Sequence, residues 1–353
     1  MELMFSGKNI LERGRGITFD DVLLVPRHSE ISSRKDTTLT SKITKNYSLE
    51  LPIVTANMDT ITDDKMACAM AEIGGLGSLH RFATPEEQVA MVKRIRLHHD
   101  QANLKIPIAA SIGVKEEGKR RGDMLADAGV QIITLDIAHG DSIMMIEVLE
   151  YMKNKYPHID IIAGNVATSD GTARLINAGA DAIKCGIGPG SMCTTRIITG
   201  HGVPQLTAIS LCVHEADKHG IPVIADGGIK NSGDMVKALC AGASSIMVGS
   251  LVSGTLETPG EVKSGKKLYR GMASKSAQVS WRGDLPKGMA AEGEATQVAC
   301  KGSVKDVMHE LSGGIRSGMT YLGVENIIQM REAGLFMEMS SSGMSESRPH
   351  GVN

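Results

Sequence analysis

Aromatic side chains are scarce: they make up 3 % of the 353 residues, with a single tryptophan and four phenylalanines. Aliphatic residues and the 21 methionines must therefore fill the core, and 42 % hydrophobic content is enough for that at this length. An excess of one charge is also lacking. Lys and Arg number 38 against 40 Asp and Glu, with no long like-charged block, which argues against nucleic-acid or membrane-surface partners. No stretch approaches the roughly 18 consecutive apolar residues of a membrane span. The start, MELMFSGKNILERGRG, has no signal-peptide hydrophobic region. The six cysteines are widely spaced and form no CxxC pair, which excludes a disulfide or zinc framework. A soluble, cytoplasmic enzyme is the expectation.

What the chain does have is a rhythm. Short apolar or small-residue runs recur: LPIVTAN (51–57), GGLGSLHR (74–81), IPIAASIG (106–113), IITLDIAHG (132–140), IDIIAGNVAT (159–168), AIKCGIGPG (182–190), IPVIADGGI (221–229) and SIMVGSLVSG (245–254). Apolar runs without polar alternation are what strands buried on both faces look like. Amphipathic stretches lie between them, at 85–99, 116–129, 169–180 and 232–243, several ending in Ala-Gly-Ala or Ala-Gly-Val, with Gly placed to terminate a helix. Strand then helix, eight times, predicts a (β/α)8 TIM barrel rather than an open doubly wound sheet. One domain over 1–353 is expected, with a long flap at 255–303 and a C-terminal helical extension at 304–353. Helices are predicted at 303–317 and about 323–333, before a polar, flexible tail.

Gly-rich and polar residues gather at the C-terminal ends of the runs, the active rim of such a barrel. GIGPGS (186–191) is a loop whose backbone N–H groups can meet an anion. Cys193 follows, beside two threonines and Arg196; a cationic neighbour and a nest of amides favour a thiolate nucleophile, the alternative being a small buried side chain. Cys68, Cys212 and Cys240 read as core packing. Gly228 and Gly249 end the seventh and eighth runs, where barrels commonly hold a phosphate. Asp226, an acceptor only, suits a ribose diol. No GxGxxG follows a first strand, so a dinucleotide would bind without that fingerprint.

GITFDDVLLVP (16–26), TANMDT (55–60), GNVAT (164–168), GIGPGSMCTTR (186–196), GVPQLTAI (202–209), ADGGI (225–229) and YRGMAS (269–274) follow in order. Together they closely resemble the IMP dehydrogenase/GMP reductase family, over about residues 16–350. The resemblance implies that Cys193 attacks C2 of a purine nucleotide and that hydride moves between that carbon and a nicotinamide cofactor. It implies a proton relay through Thr195 and Glu292, with Glu294 as the rival carboxylate. It places the 5′-phosphate at Ser191, Gly228, Gly249, Ser250 and Tyr269, and the ribose at Asp226. Asn57, Met58, Gly271, Met272 and Ala273 would surround the base, and Asp136, Ala138, Asn165 and Gly186 the nicotinamide. His139 is either a cofactor contact or a structural rim histidine. Carbonyls of Gly188, Gly190 and Cys193 would bind potassium, completed by a neighbouring subunit's tail near Glu346 and Ser347. A homotetramer, or an octamer of two tetramers, is implied.

The family contains two chemistries. A dehydrogenase oxidises IMP to XMP with NAD and needs a base to activate water; a reductase expels ammonia from GMP and takes hydride from NADPH. Dehydrogenases usually carry regulatory CBS modules after the second strand, where this chain has only a helix and a turn at 81–106. Their flap carries an Arg-Tyr pair, where this chain has Trp281-Arg282-Gly283. Both features favour GMP reductase. The tail SESRPHGV resembles the dehydrogenase C-terminus and favours the alternative, a dehydrogenase without CBS modules. A barrel that binds purine nucleotide without catalysis is the remote third, disfavoured by the retention of Cys193, Thr195, Asp226 and Glu292.

Overall fold

Eight short parallel strands close into a barrel in the computed structural model, which describes residues 3–284 and 288–349. They are β1 (Ile53–Thr55), β2 (Leu76–Leu79), β3 (Ala109–Ile112), β4 (Ile132–Asp136), β5 (Asp160–Val166), β6 (Ala182–Cys185), β7 (Val223–Asp226) and β8 (Ser245–Val248). Each falls inside one of the eight apolar runs, and Val248 opposite Thr55 closes the ring. The strands are buried on both faces: one faces the barrel interior, where Ser78 meets Ser111 and Thr134, and the other faces the helices.

The helices are α1 (Asp64–Ala71), α2 (Pro85–Ala102), α3 (Glu116–Asp127), α4 (Ile143–Lys155), α5 (Ser169–Asn177), α6 (Gln205–Ala216), α7 (Ser232–Cys240) and α8 (Val304–Leu322). Their ends are written locally. Thr84 caps α2, Glu87 returns the hydrogen bond, and Pro85 occupies the first turn, where its missing N–H costs nothing. Gly129, Gly179 and Gly242 follow α3, α5 and α7 with φ of 84°, 104° and 107°, the left-handed stop that Ala-Gly motifs predict.

Two regions differ from the sequence expectation. The helix at 304–322 packs against α7 and α1 and so takes the eighth place in the ring; the extension proper starts after it. The flap interposes between β8 and this helix, which interrupts the rhythm. The flap itself is more regular than its composition suggests: β9 (Lys266–Arg270) pairs antiparallel with β10 (Ala295–Ala299), and a helix spans Lys275–Arg282. In β9 the buried positions are Lys267 and Tyr269 while Leu268 is exposed. The Lys267 ammonium donates to the carbonyls of Thr255 (2.9 Å) and Thr258 (2.7 Å). An inverted pattern of that kind hides a strand.

The first fifty residues and the strand Leu335–Glu338 pack outside the barrel: Ile17 N–H donates to Thr207 of α6, and Lys237 of α7 donates to the Phe19 carbonyl. Thr44 and Asn46, in a hairpin of Ser41–Lys42 with Ser48–Leu49, donate to Asp160 at the start of β5. Met4–Ser6, Leu335–Glu338 and Val22–Leu24 form an antiparallel sheet with Leu335–Glu338 in the middle. Phe336 is fully buried there, stacked on Phe5 at 5.9 Å. The tail read as flexible holds a short helix, Ser341–Glu346.

Candidate active site

The C-terminal ends of the strands surround a cavity of about 390 Å³. Its wall takes Asn57 and Met58 from beyond β1, Asp136 and Ala138 from β4, Asn165 from β5, and Gly186, Gly188, Gly190, Cys193 and Thr195 from the long segment after β6. Asp226 of β7, Met272, Ala273 and Gln278 of the flap, and Arg81 and Lys184 also line it. A second cavity of about 150 Å³ shares Met58, Gly190 and Asp226 with the first and adds Ser191, Gly228, Gly249, Ser250 and Tyr269. The five residues expected at a phosphate are thus collected at one end, and those expected at base and nicotinamide, Gly271 and His139 apart, at the other.

The turn that presents Cys193 depends on glycine. Gly188 has φ of 83°, and a Cβ there would press on the Arg196 side chain. The Cys193 amide donates to the Gly190 carbonyl at 3.0 Å, which tightens the loop under the thiol. The thiol donates to Thr195 Oγ1 at 3.1 Å, and that hydroxyl donates to Glu292 Oε2 at 2.8 Å. The backbone fixes the pair as well, since Thr194 N–H donates to the Glu292 carbonyl at 3.0 Å. Glu294 is exposed, and its backbone makes its bonds here: its N–H donates to the Met192 carbonyl and its carbonyl accepts from Gly271 N–H. Of the two carboxylates, Glu292 is the one in hydrogen-bond contact with Thr195.

Arg196 does not serve the thiol as the sequence suggested. Its guanidinium donates to the backbone carbonyls of Val203 (2.6 Å) and Ile187, and so braces the loop from outside. His139 is exposed and absent from both cavity walls. Gly271 lines neither cavity; a Cβ there would come to 3.1 Å from the Met192 carbonyl, so its role is close packing beneath the Cys193 loop. Glu346 and Ser347 lie at the end of the tail helix, with Ser347 Oγ donating to Gly343 O, and line neither cavity of their own chain. The side chain of Arg282 lies outside the described residues. Cys212 and Cys240 are buried as expected and Cys68 half-buried, and all six cysteines are free.

The sequence missed Lys184. It is 3 % exposed, and its ammonium lies 2.7 Å from Asp136 and 2.9 Å from Asp226. Burial pushes the lysine down, but the two carboxylates outweigh it and hold it above its ordinary value. Burial likewise pushes Asp136 up, yet Lys184 and Arg81 leave it below the usual carboxylate range. The signal was present: a lone lysine inside AIKC, a strand buried on both faces, needs paired carboxylates. Tyr269 is pushed up by burial, and its hydroxyl lies 2.9 Å from Ser191 Oγ; a neutral phenol and a serine make suitable donors for a phosphate.

The chain matches the family described as "IMP dehydrogenase / GMP reductase domain" over residues 16–350. It belongs to this family. An inosine-5′-monophosphate dehydrogenase from Cryptosporidium parvum is 41 % identical, over 98 % of this chain and 96 % of that protein. One from Nitrosopumilus maritimus is 35 % identical, over 97 % and 99 %. Among solved structures, a GMP reductase variant from Trypanosoma brucei in complex with guanosine 5′-monophosphate superposes with a TM-score of 0.89 at 31 % identity, covering 97 % of this chain and 99 % of that one. The protein is thus a purine-nucleotide oxidoreductase whose family exchanges hydride with a nicotinamide nucleotide. The cavity suits such a cofactor. Asn165 Oδ1 and Gln278 Oε1 are buried without a hydrogen-bond partner among the described residues, and two acceptors of that kind complement the donor end of a carboxamide. No described helix is long and apolar enough to cross a membrane. Among the described residues no group of three His, Cys, Asp or Glu side chains is placed to hold a metal ion.

Proposed function

We propose that the protein is a GMP reductase, converting GMP to IMP and ammonia with NADPH. The observation that carries this is the chain of hydrogen bonds from Cys193 through Thr195 to Glu292. Both bonds run toward the carboxylate, so a proton can pass from the thiol to Glu292, leaving a thiolate and a glutamic acid. The thiolate attacks C2 of GMP. Glu292 then returns its proton through Thr195 to the amine, the C2–N bond breaks, and ammonia leaves a thioimidate on Cys193. Bound reduced nicotinamide supplies the hydride that C2 accepts. The C2–S bond breaks last, releasing IMP and restoring the thiolate. GMP, reduced nicotinamide and two protons give IMP, oxidised nicotinamide and ammonium, which balances.

The remaining residues bind and orient. Ser191, Gly228, Gly249, Ser250 and Tyr269 hold the phosphate, Asp226 the ribose, and Asn57, Met58, Met272 and Ala273 the base. Asp136, Ala138, Asn165 and Gly186 hold the nicotinamide end of the cofactor. Potassium at the carbonyls of Gly188, Gly190 and Cys193 is part of the same proposal, with Glu346 and Ser347 of a neighbouring copy closing its shell. So are a tetramer and a cytoplasmic location.

The dehydrogenase relatives and the SESRPHGV tail favour a second reading, oxidation of IMP to XMP with NAD. The flap helix carries no Tyr beside Arg282, which leaves that reading without the family's Arg-Tyr pair for activating water. Incubation with GMP and NADPH, and separately with IMP and NAD, decides between them. Nicotinamide oxidation with one ammonia per turnover supports the reductase. Rapid, sustained XMP formation overturns it, with Arg282 then the first candidate base.

A further inference from the structure

Lys184 sits where β4, β6 and β7 end together. Its two carboxylate partners are Asp136 and Asp226, at 2.7 and 2.9 Å. The two carboxylate oxygens are therefore no farther apart than those contacts laid end to end. Asn165 Nδ2 donates to the same Asp226 oxygen at 2.9 Å. Arg81, from the end of β2, adds its charge on the Asp136 side. Tyr269 and Cys185, the other titratable groups that feel Asp226, are both pushed up, burial first, and stay neutral. The neighbouring strand is shaped around this lysine: a Cβ on Gly164 would come to 2.5 Å from the Lys184 carbonyl and 2.6 Å from its Cβ.

We propose that Lys184 is a positioning residue for the nucleotide: one ammonium, shared by two carboxylates, keeps Asp226 ionised toward the ribose while Asp136 stands beside it toward the cofactor. The inference rests on the assignment of Asp226 to the ribose. Two carboxylates this close cannot both stay ionised without a cation between them; one takes up a proton. Arg81 continues to serve Asp136 when Lys184 is neutralised, so Asp226 is the one that protonates. A protonated Asp226 loses its charge-assisted bond to the diol, and GMP affinity falls as pH falls.

The test is GMP binding by calorimetry from about pH 5.5 to 8.5 on the wild type, Lys184→Met, Lys184→Arg and Lys184→Met with Asp136→Asn. The GMP phosphate itself titrates near pH 6, so each profile is read relative to the wild type. Lys184→Met should bind GMP at the alkaline end within a few fold of wild type and about tenfold or more weaker at the acid end, because two neighbouring carboxylates are left without the cation between them. Asp136→Asn added to it removes the like charge and should return the profile to the wild-type shape, and Lys184→Arg should keep that shape. Where methionine does not fold, Lys184→Gln takes its place with the same expectation. A neutral variant whose profile runs parallel to wild type overturns the proposal, as does a double variant that keeps the slope of the single one. Asp226→Ala is the separate control: unchanged GMP affinity there refutes the ribose assignment itself, whatever Lys184 does.

Discussion

Glu292→Gln alters the proposed proton relay and little else. The glutamine amide is the size of the carboxylate and can still accept from Thr195 Oγ1, now at 2.8 Å, but it cannot take a proton from the thiol or return one to the amine. A positioned acid or base contributes about 10²–10⁴-fold, or roughly 3–5 kcal/mol of barrier. Glu292 lines neither of the two cavities, so the loss should appear in kcat while the KM for GMP moves by no more than about threefold. Thr195→Val cuts the same chain at its middle and should fall by the same order. The double variant should be hardly worse than either single one, because residues that act as a unit are not additive. Rapid-quench measurement of ammonia, alongside nicotinamide absorbance and intact-mass trapping of the Cys193 adduct, follows each step. A Glu292→Gln enzyme that releases ammonia at close to the wild-type rate refutes the relay. A loss of GMP affinity in step with kcat shows that Glu292 binds substrate instead.

Cys193→Ala should abolish turnover while GMP binding, by calorimetry, stays within about tenfold, since the thiolate provides covalent catalysis rather than affinity; in the wild type, GMP should slow alkylation of this thiol, and a Cys193→Ala enzyme that still turns over ends the covalent mechanism. Asp226→Ala should weaken GMP binding about 10- to 150-fold, the loss of a charge-assisted bond of roughly 1.5–3 kcal/mol; normal affinity with a slowed chemical step removes the ribose assignment. Deleting residues 341–353 should abolish any activation by potassium, and a truncated enzyme that responds as the full chain does leaves the tail without that role.

The eight barrel strands were legible because a strand buried on both faces leaves an unbroken apolar run, and Ile132–Asp136 or Ser245–Val248 could hardly read otherwise. The helix stops were legible because only glycine sits easily at the φ values of Gly129, Gly179 and Gly242. Most of the expected site residues were found together for the same reason, since a barrel gathers its strand ends whatever joins them. What stayed hidden was non-local. Val22–Leu24 spans three residues and finds its partner more than three hundred positions away, which no local pattern records. Lys184 left a local sign, a lysine inside a buried strand, but the identity of its partners was hidden because both carboxylates come from other strands. Arg196 misled because adjacency in sequence to Cys193 was taken for adjacency in space; a short helix, Thr195–Thr199, turns it outward.

The strand Leu335–Glu338 lies between Met4–Ser6 and Val22–Leu24, and that arrangement sets an order of events at the ribosome. These two strands share no neighbour until more than three hundred further residues have been made. At about 5–20 residues per second this is a wait on the order of twenty seconds or more. Throughout it the Phe5 ring has no Phe336 to stack on and offers apolar surface to chaperones or to other nascent chains. The strand made last is therefore the keystone for the two made first. A proteolytic cut just beyond Glu338 leaves this outer sheet standing; a cut a few residues earlier takes out the middle strand and leaves the remaining two with nothing to pair on.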